Sequence, residues 1–345
     1  MLKLDLKDRR ILHELDHNAR IPFSRLGKKI GLSESVVRYR VERLLSSGVL
    51  RGFVAFVDTY ELGFRHYNVF LKLKVISEKK EADIFEGLKR LPSVCWLVST
   101  SGQYNLVAGV LAKDVEEFED AFNSMMRVLE NCVDEDSVLI ASGAFQFSYP
   151  LLEKRQEIKP AVLNAGQKVK LSRVDFGILQ ELSKDPRISV LDISKKLNLS
   201  FSIVSRHFSS LLSSGYIQGF KPWINMEKLG KYYYIVLLKL KYVDRRTRNS
   251  FIEGLKQLPQ TYFITNGVGN WSVQVEFFCS DDSEFRKVMN KIFPSQKSDI
   301  VKEHTELRVN DELKCVFYPI GLSAGAMQTS LSSWYEQKNI NKRKK

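Results

Sequence analysis

The chain has 345 residues, 44% of them hydrophobic and 27% charged, which is the composition of folded domains and more length than one ordinary domain uses. No apolar run reaches the roughly 20 residues of a membrane-spanning helix, and "YYYIVLL" at Tyr232–Leu238 is strand-sized. The formal charge of +13 favours a polyanionic partner, while Cys95, Cys132, Cys279 and Cys315 show neither a disulfide framework nor paired metal spacing.

The charge is unevenly placed. Residues 1–52 hold 12 Lys/Arg against 6 Asp/Glu, and residues 53–150 hold 9 against 15. Residues 168–220 return to excess base, with 8 against 4. The N-terminal "MLKLDLKDRRIL" is charged throughout and lacks an apolar signal core. A cytoplasmic location is therefore expected, and the scattered cysteines suit a reducing compartment.

In chain order, a first helix is expected over about Lys7–His17, with Ile11, Leu12 and Leu15 on one face. Pro22 opens a second helix near Ser24–Ile30, and Gly31 makes the turn after it. Ser33 is placed to cap a third helix that ends at Gly48, with Val36, Val37, Val41, Leu44 and Leu45 as its buried stripe. Two helices joined by a tight turn and packed on a preceding helix make a helix-turn-helix. A strand at about Val49–Asp58 leads onward. Strands then follow near Asn68–Ile76, Val94–Ser99, Leu106–Leu111 and Ser137–Ile140, with helices near Lys80–Lys89 and Val115–Leu129. That order is β-α-β-β-α-β, a ferredoxin-like arrangement with helices on one face of an antiparallel sheet.

The whole pattern then recurs 167 positions later. "LSESVVRYRVERLLSSGVLRGF" at Leu32 returns as "LSFSIVSRHFSSLLSSGYIQGF" at Leu199, identical at eleven of 22 positions. "EGLKRLP" at Glu86 returns as "EGLKQLP" at Glu253, and Gly102 as Gly269. A repeat of this length means duplication of a two-part unit, not a solenoid. The expected fold is α+β: two copies of a helix-turn-helix domain, each followed by a β-α-β-β-α-β sensing and oligomerisation domain. The expected boundaries are 1–52 and 53–145, a linker at 146–167, then 168–220 and 221–320, with a basic, disordered tail at 321–345.

"LDLKDRRILHELDHNAR", "LSESVVRYRVERLLSSGVLRGF" and "FVDTYELGF", followed by the β-α-β-β-α-β pattern, resemble the leucine-responsive regulator family (Lrp/AsnC) of prokaryotic transcription regulators. The resemblance covers nearly the whole chain, twice over. It implies a DNA-binding regulator, not an enzyme, with double-stranded DNA as partner, no cofactor and no membrane. It also implies a small-molecule effector and a homo-oligomer formed through the sensing domains. In the family the effector loop usually reads Gly-x-x-Asp. Here the loops are Gly102, Tyr104 and Asn105 in one unit and Gly269, Trp271 and Ser272 in the other. Both lack the acidic residue, and a tight turn with packing aromatics suits them as well.

On the third helix, Ser35, Arg38, Tyr39 and Arg43 lie off the apolar stripe, where a recognition helix meets the major groove. Arg38 is the candidate for two hydrogen bonds to a guanine edge. Arg40 matches the arginine usual in the family motif, and Arg43, Lys28 and Lys29 are assigned to phosphates. The second unit keeps Ser202 but carries Ser205, Arg206, His207 and Ser210 where the first has Arg38, Tyr39, Arg40 and Arg43. Lys195, Lys196 and Arg206 leave it a weaker phosphate grip. Because the readers are unequal, an internal pseudo-dimer of this kind should read an asymmetric site.

His13 and His17 have i,i+4 spacing without a third ligand nearby, so no metal is expected. The rival function is a tetrapyrrole enzyme like the sirohaem decarboxylases, which share the two-part architecture. The connecting "GFVAFVDTYELG" holds none of the histidines that such chemistry needs. A DNA-compacting structural protein is the third reading, compatible with the basic tail.

Overall fold

The computed structural model describes residues 4–150, 161–163, 171–293 and 300–318; the expected tail and most of the expected linker lie outside these residues. The chain begins with α1 (Leu6–His17), α2 (Phe23–Ile30) and α3 (Glu34–Ser46). Asp5 and Asp8 form a reciprocal capping box at the start of α1, and Ser33 accepts a hydrogen bond from the Val36 amide to start α3. Gly31, at φ 70°, lets the chain turn from α2 toward α3. Ile11, Leu12, Leu15, Leu26, Val37, Val41 and Leu44 form the buried centre of this unit.

The expected stripe on α3 is too wide. Val37, Val41 and Leu44 are buried, but Val36 and Leu45 are 38% and 39% exposed. The i, i+4, i+7 positions make a single line of contact on α1 and α2, and residues 36 and 45 lie about 100° to either side of it.

Strand β1 (Leu50–Val57) leads to β2 (Arg65–Leu73), α4 (Glu78–Arg90), β3 (Val94–Ser101), β4 (Leu106–Ala112), α5 (Val115–Leu129) and β5 (Val133–Gln146). A three-residue strand β6 (Ala161–Leu163) pairs with the end of β5. The second unit repeats the order with α6 (Arg173–Lys184), α7 (Val190–Lys196), α8 (Phe201–Ser213) and β7 (Ile217–Ile224). It continues as β8 (Tyr232–Leu240), α9 (Arg245–Lys256), β9 (Thr261–Gly269), β10 (Val273–Cys279), α10 (Asp282–Ile292) and β11 (Val301–Cys315). Ser200 caps α8 as Ser33 caps α3, and Asn198, at φ 53°, replaces Gly31.

The two sheet modules do not stand apart as two separate ferredoxin-like sheets. Their strands join in the order β2-β4-β3-β11-β8-β10-β9-β5, and β5 pairs back to β2, closing an eight-stranded antiparallel barrel. The two seams are made by the long strands. β5 pairs with β2 through Ile140 and with β9 from Leu139 onward. β11 pairs with β8 as far as Arg308 and with β3 beyond it. Helices α4 and α5 cover one outer side, with Ile84 and Met125 in one core with Leu71 and Leu97, while α9 and α10 cover the other, with Leu255 and Phe285 in one core with Leu238 and Val275.

β1 and β7 form a separate antiparallel ribbon. Each helix-turn-helix packs against the other unit across it. The core around α1 includes Ile224 and Met226, and the core around α6 includes Ala55 and Val57. Among the described residues no helix is long and apolar enough to cross a membrane.

Candidate nucleic-acid interface

Helix α3 lies open to solvent along one side. Tyr39 is 64% exposed, and Ser35, Arg38 and Val36 stand beside it. Arg38 makes an i,i+4 pair with Glu34 at 3.1 Å, with both side chains about half exposed, and its guanidinium lies over the Phe23 ring. An exposed pair of this kind contributes about 0.3–0.5 kcal/mol, so little holds Arg38 back from a base edge. Val36, which the sequence pattern assigned to the core, presents an exposed apolar side chain on the same face.

The other two arginines of α3 are turned inward, contrary to expectation. Arg40 donates to Asp5 and Asp8, each at 2.8 Å, and Arg43 donates to Asp8 at 2.7 Å. Asp8 is fully buried, so the pair of guanidinium groups neutralises a carboxylate that also serves the α1 capping box. These contacts fasten α3 to the start of α1, and they lower the Asp5 carboxyl to about 2, through its Asp8 backbone bond first and Arg40 second. Arg40 and Arg43 are therefore part of the frame, and the phosphate role assigned to Arg43 is not what its contacts serve.

The second unit keeps the same frame with different chemistry. His207 replaces Arg40 and sits 2.8 Å from Asp175, the counterpart of Asp8. Lys29 pairs with Glu14 at 2.7 Å, and Lys196 pairs with Glu181, the counterpart of Glu14, at 2.8 Å. Lys195 lies 3.7 Å from Asp192. All three lysines remain about half exposed or more, and Lys28 is exposed without an ion pair among the described residues. The outward face of α8 is less cationic: Ser202 and Arg206 are exposed, with Phe201 52% exposed at the position of Glu34.

Two arginines that the sequence pattern did not single out join the helix-turn-helix units. Arg20 donates to the carbonyls of Pro186 and Ile188, both at 2.7 Å. Arg187, its counterpart 167 positions on, donates to the carbonyls of Ala19 and Ile21. Arg20 lies against the Phe208 and Phe220 rings, and Arg187 against Phe23 and Phe53. Burial lowers the pKa of both guanidinium groups. The only available signal was their equal place in the repeat.

The expected effector loops serve the barrel seams. Tyr104 and Trp271 are buried in the barrel interior with Phe70, Leu139 and Leu307. Asn105 accepts from the Leu73 amide at 2.7 Å, and Ser272 accepts from the Leu240 amide at 3.1 Å. A Cβ at Gly102 would lie 2.7 Å from the Glu306 carbonyl oxygen, and one at Gly269 would lie 2.2 Å from that of Val138. Gly102 and Gly269 thus let neighbouring strands approach, Asn105 and Ser272 bond to strand ends, and Tyr104 and Trp271 fill the core.

The fold and its exposed third helix define a helix-turn-helix protein with two such units in one chain. Residues 4–45 match the model of the AsnC-type helix-turn-helix domain, and residues 171–218 match that of the winged helix-turn-helix DNA-binding group. The HTH-type transcriptional regulator Ptr1 of Methanocaldococcus jannaschii is 37% identical over 113 residues, covering 33% of this chain and 75% of the relative. An HTH-type transcriptional regulator of Mycobacterium tuberculosis is 30% identical over 145 residues, covering 41% of this chain and 95% of the relative. The chain belongs to the Lrp/AsnC family of transcription regulators, as a tandem of its unit. At the scale of the whole chain, the crystal structure of the siroheme decarboxylase NirDL is similar with a TM-score of 0.58 and 14% identity. It covers 94% of this chain and 99% of that one, a likeness of fold alone.

Proposed function

We propose that this DNA-binding transcription regulator recognises sequence through α3, and that its two unequal helix-turn-helix units read one asymmetric site as an internal pair. The observation that carries the reading is the division of labour on α3: Arg40 and Arg43 hold the helix to Asp8, which leaves Ser35, Val36, Arg38 and Tyr39 facing outward. Arg38 is assigned to a guanine edge, Lys28 and Lys29 to phosphates, and Ser202, Arg206, Lys195 and Lys196 to a weaker contact by the second unit. The strand edges that would pair two chains are used here within one chain, which supports the internal pair over a homo-oligomer joined through its sheets. A small-molecule effector acting through the barrel belongs to the same proposal.

Selection of binding sites from random duplexes tests this reading. Arg38→Ala should relax one position, with a loss of discrimination of roughly 5- to 150-fold from a bidentate contact of about 1–3 kcal/mol. Lys28→Ala should weaken all sequences alike and flatten the salt dependence. An unchanged motif in the Arg38 variant removes that residue from the reading set.

The shared fold with NirDL supports a second reading, a tetrapyrrole enzyme. Against it, His66 lies in the wall of the barrel cavity 2.7 Å from Thr59, and burial lowers its pKa to about 4, so at neutral pH it is not the imidazolium that a general acid requires. We read the chain as a non-enzyme. Mixing it with an iron porphyrin should give no protein-dependent visible band, and a stoichiometric band would favour the enzyme.

A further inference from the structure

The barrel interior has two unlike regions. Phe70, Tyr104, Ile235 and Trp271 pack one of them solid. The other encloses a cavity of about 60 Å³, room for roughly five waters or one compound of a few heavy atoms.

Two carboxylates line that cavity, Glu276 from β10 and Glu312 from β11. Tyr233 donates to one oxygen of Glu276, and Gln274 donates to the other at 2.8 Å. Trp96 and Trp223 donate to one oxygen each of Glu312. Every carboxylate oxygen therefore keeps unused acceptor capacity. Gln146 adds a side-chain oxygen that has no partner among the described residues, and the Tyr60 hydroxyl, on a residue 6% exposed, has none either. Among the described residues no lysine or arginine lines the cavity. Burial keeps the lining histidine, His66, neutral and raises the Cys95 thiol to about 12.

Glu276 has no cation acting on it, and Glu312 has Arg51 bonded to its main-chain oxygen and not to its carboxylate, so the desolvation of both carboxylates is offset only in part. The repeat indicates that the fold does not demand this arrangement. Across the repeat, Glu276 stands where the first unit has Gly109, and strand register sets Glu312 against Ala144, Gln274 against Val107 and Asn68 against Ile235. The same frame closes with glycine or apolar side chains at those places. The acidic lining belongs to one half only, and Tyr60, Trp96, Tyr233 and Tyr262 wall it with aromatic rings. Acceptors, negative charge and π faces around a small space are complementary to an amine.

We propose that this cavity binds a small organic cation carrying N–H donors, a short-chain primary ammonium compound, held between Glu276 and Glu312. Its regulatory meaning rests on the reading given above. Glu312 receives its Trp223 bond from β7, and Arg51 of β1 donates to the Glu312 main-chain oxygen and to Asp311. β1 and β7 form the ribbon against which both helix-turn-helix units pack. A ligand that draws on Glu312 thus acts on the joint between barrel and DNA readers.

Calorimetric titration of the full chain with n-propylamine at pH 8, without DNA, tests the site. Saturable binding is expected, at least tenfold weaker in Glu276→Gln and, separately, in Glu312→Gln, with no binding of propionate, an anion of similar chain length. Burial raises Glu276 to about 7, with Glu312 and Tyr233 facing it, so binding at pH 6.5 should release a proton and give heats that depend on the buffer. No saturable heat, equal binding by wild type and both variants, or equal binding of propionate would overturn the proposal. DNA affinity measured with and without propylamine is a separate arm. An unchanged value there keeps the site and removes only its regulatory role.

Discussion

Asp8 shows how a residue can look like part of a charged surface and prove central to the frame. It is fully buried, caps α1 and receives both Arg40 and Arg43. Removing one partner of a buried, hydrogen-bonded charge cluster costs about 3 kcal/mol or more. Asp8→Asn should therefore lower the denaturant midpoint clearly while leaving the selected DNA motif unchanged. Arg38→Ala should do the reverse. Glu276 gives a pH signature at the same scale. Unfolded, it ionises near 4.5, and in the folded chain it holds its proton to about 7. Stability should fall as pH rises between those values, with the full penalty, about 3 kcal/mol, present above pH 7. Glu276→Gln copies the protonated form, so the unfolding free energy from urea titration should rise by a comparable amount at pH 8 and barely change at pH 4.5.

Among the elements, the helix-turn-helix units were legible because their signals are local. Ser33, Gly31 and Gly48, with Ser200, Asn198 and Gly215, fall at the caps and turns where their residue types place them. The last strand of each unit was not legible. A strand over Ser137–Ile140 was expected and Val133–Gln146 is found; Ile300–Glu306 was expected and Val301–Cys315 is found. The added half of each strand pairs with the other unit, and its inner positions include Gln146 and Glu312, which face a polar cavity and so break the apolar alternation. Periodicity likewise placed Ser35, Arg38 and Tyr39 on the open face of α3. It could not tell that Arg40 and Arg43 meet Asp8 more than 30 positions away in the chain. The seam glycines give a test of the barrel. Gly269 has φ +134° and no room for a Cβ, so Gly269→Ala should cost on the order of 2–4 kcal/mol in equilibrium unfolding. Gly254, on α9 with open space around it, should tolerate alanine with a gain of up to about 1 kcal/mol.

The whole molecule is a pseudo-symmetric dimer written into one chain. Its barrel is closed by strands from both units, and its helix-turn-helix units are held together by Arg20 and Arg187 in mirrored roles. Replacing both arginines by alanine should weaken binding to a full site while sparing affinity for the half-site read by α3, as measured by gel shift on split duplexes. The two outward faces differ, Arg38 and Tyr39 on one against Ser205 and Arg206 on the other. Selection of sites from random DNA by the full chain, with the stoichiometry of the selected complex determined, addresses the molecule as a whole. One chain on an asymmetric site is the expected result. A clean palindrome carrying two chains, or no preferred sequence at all, would contradict it.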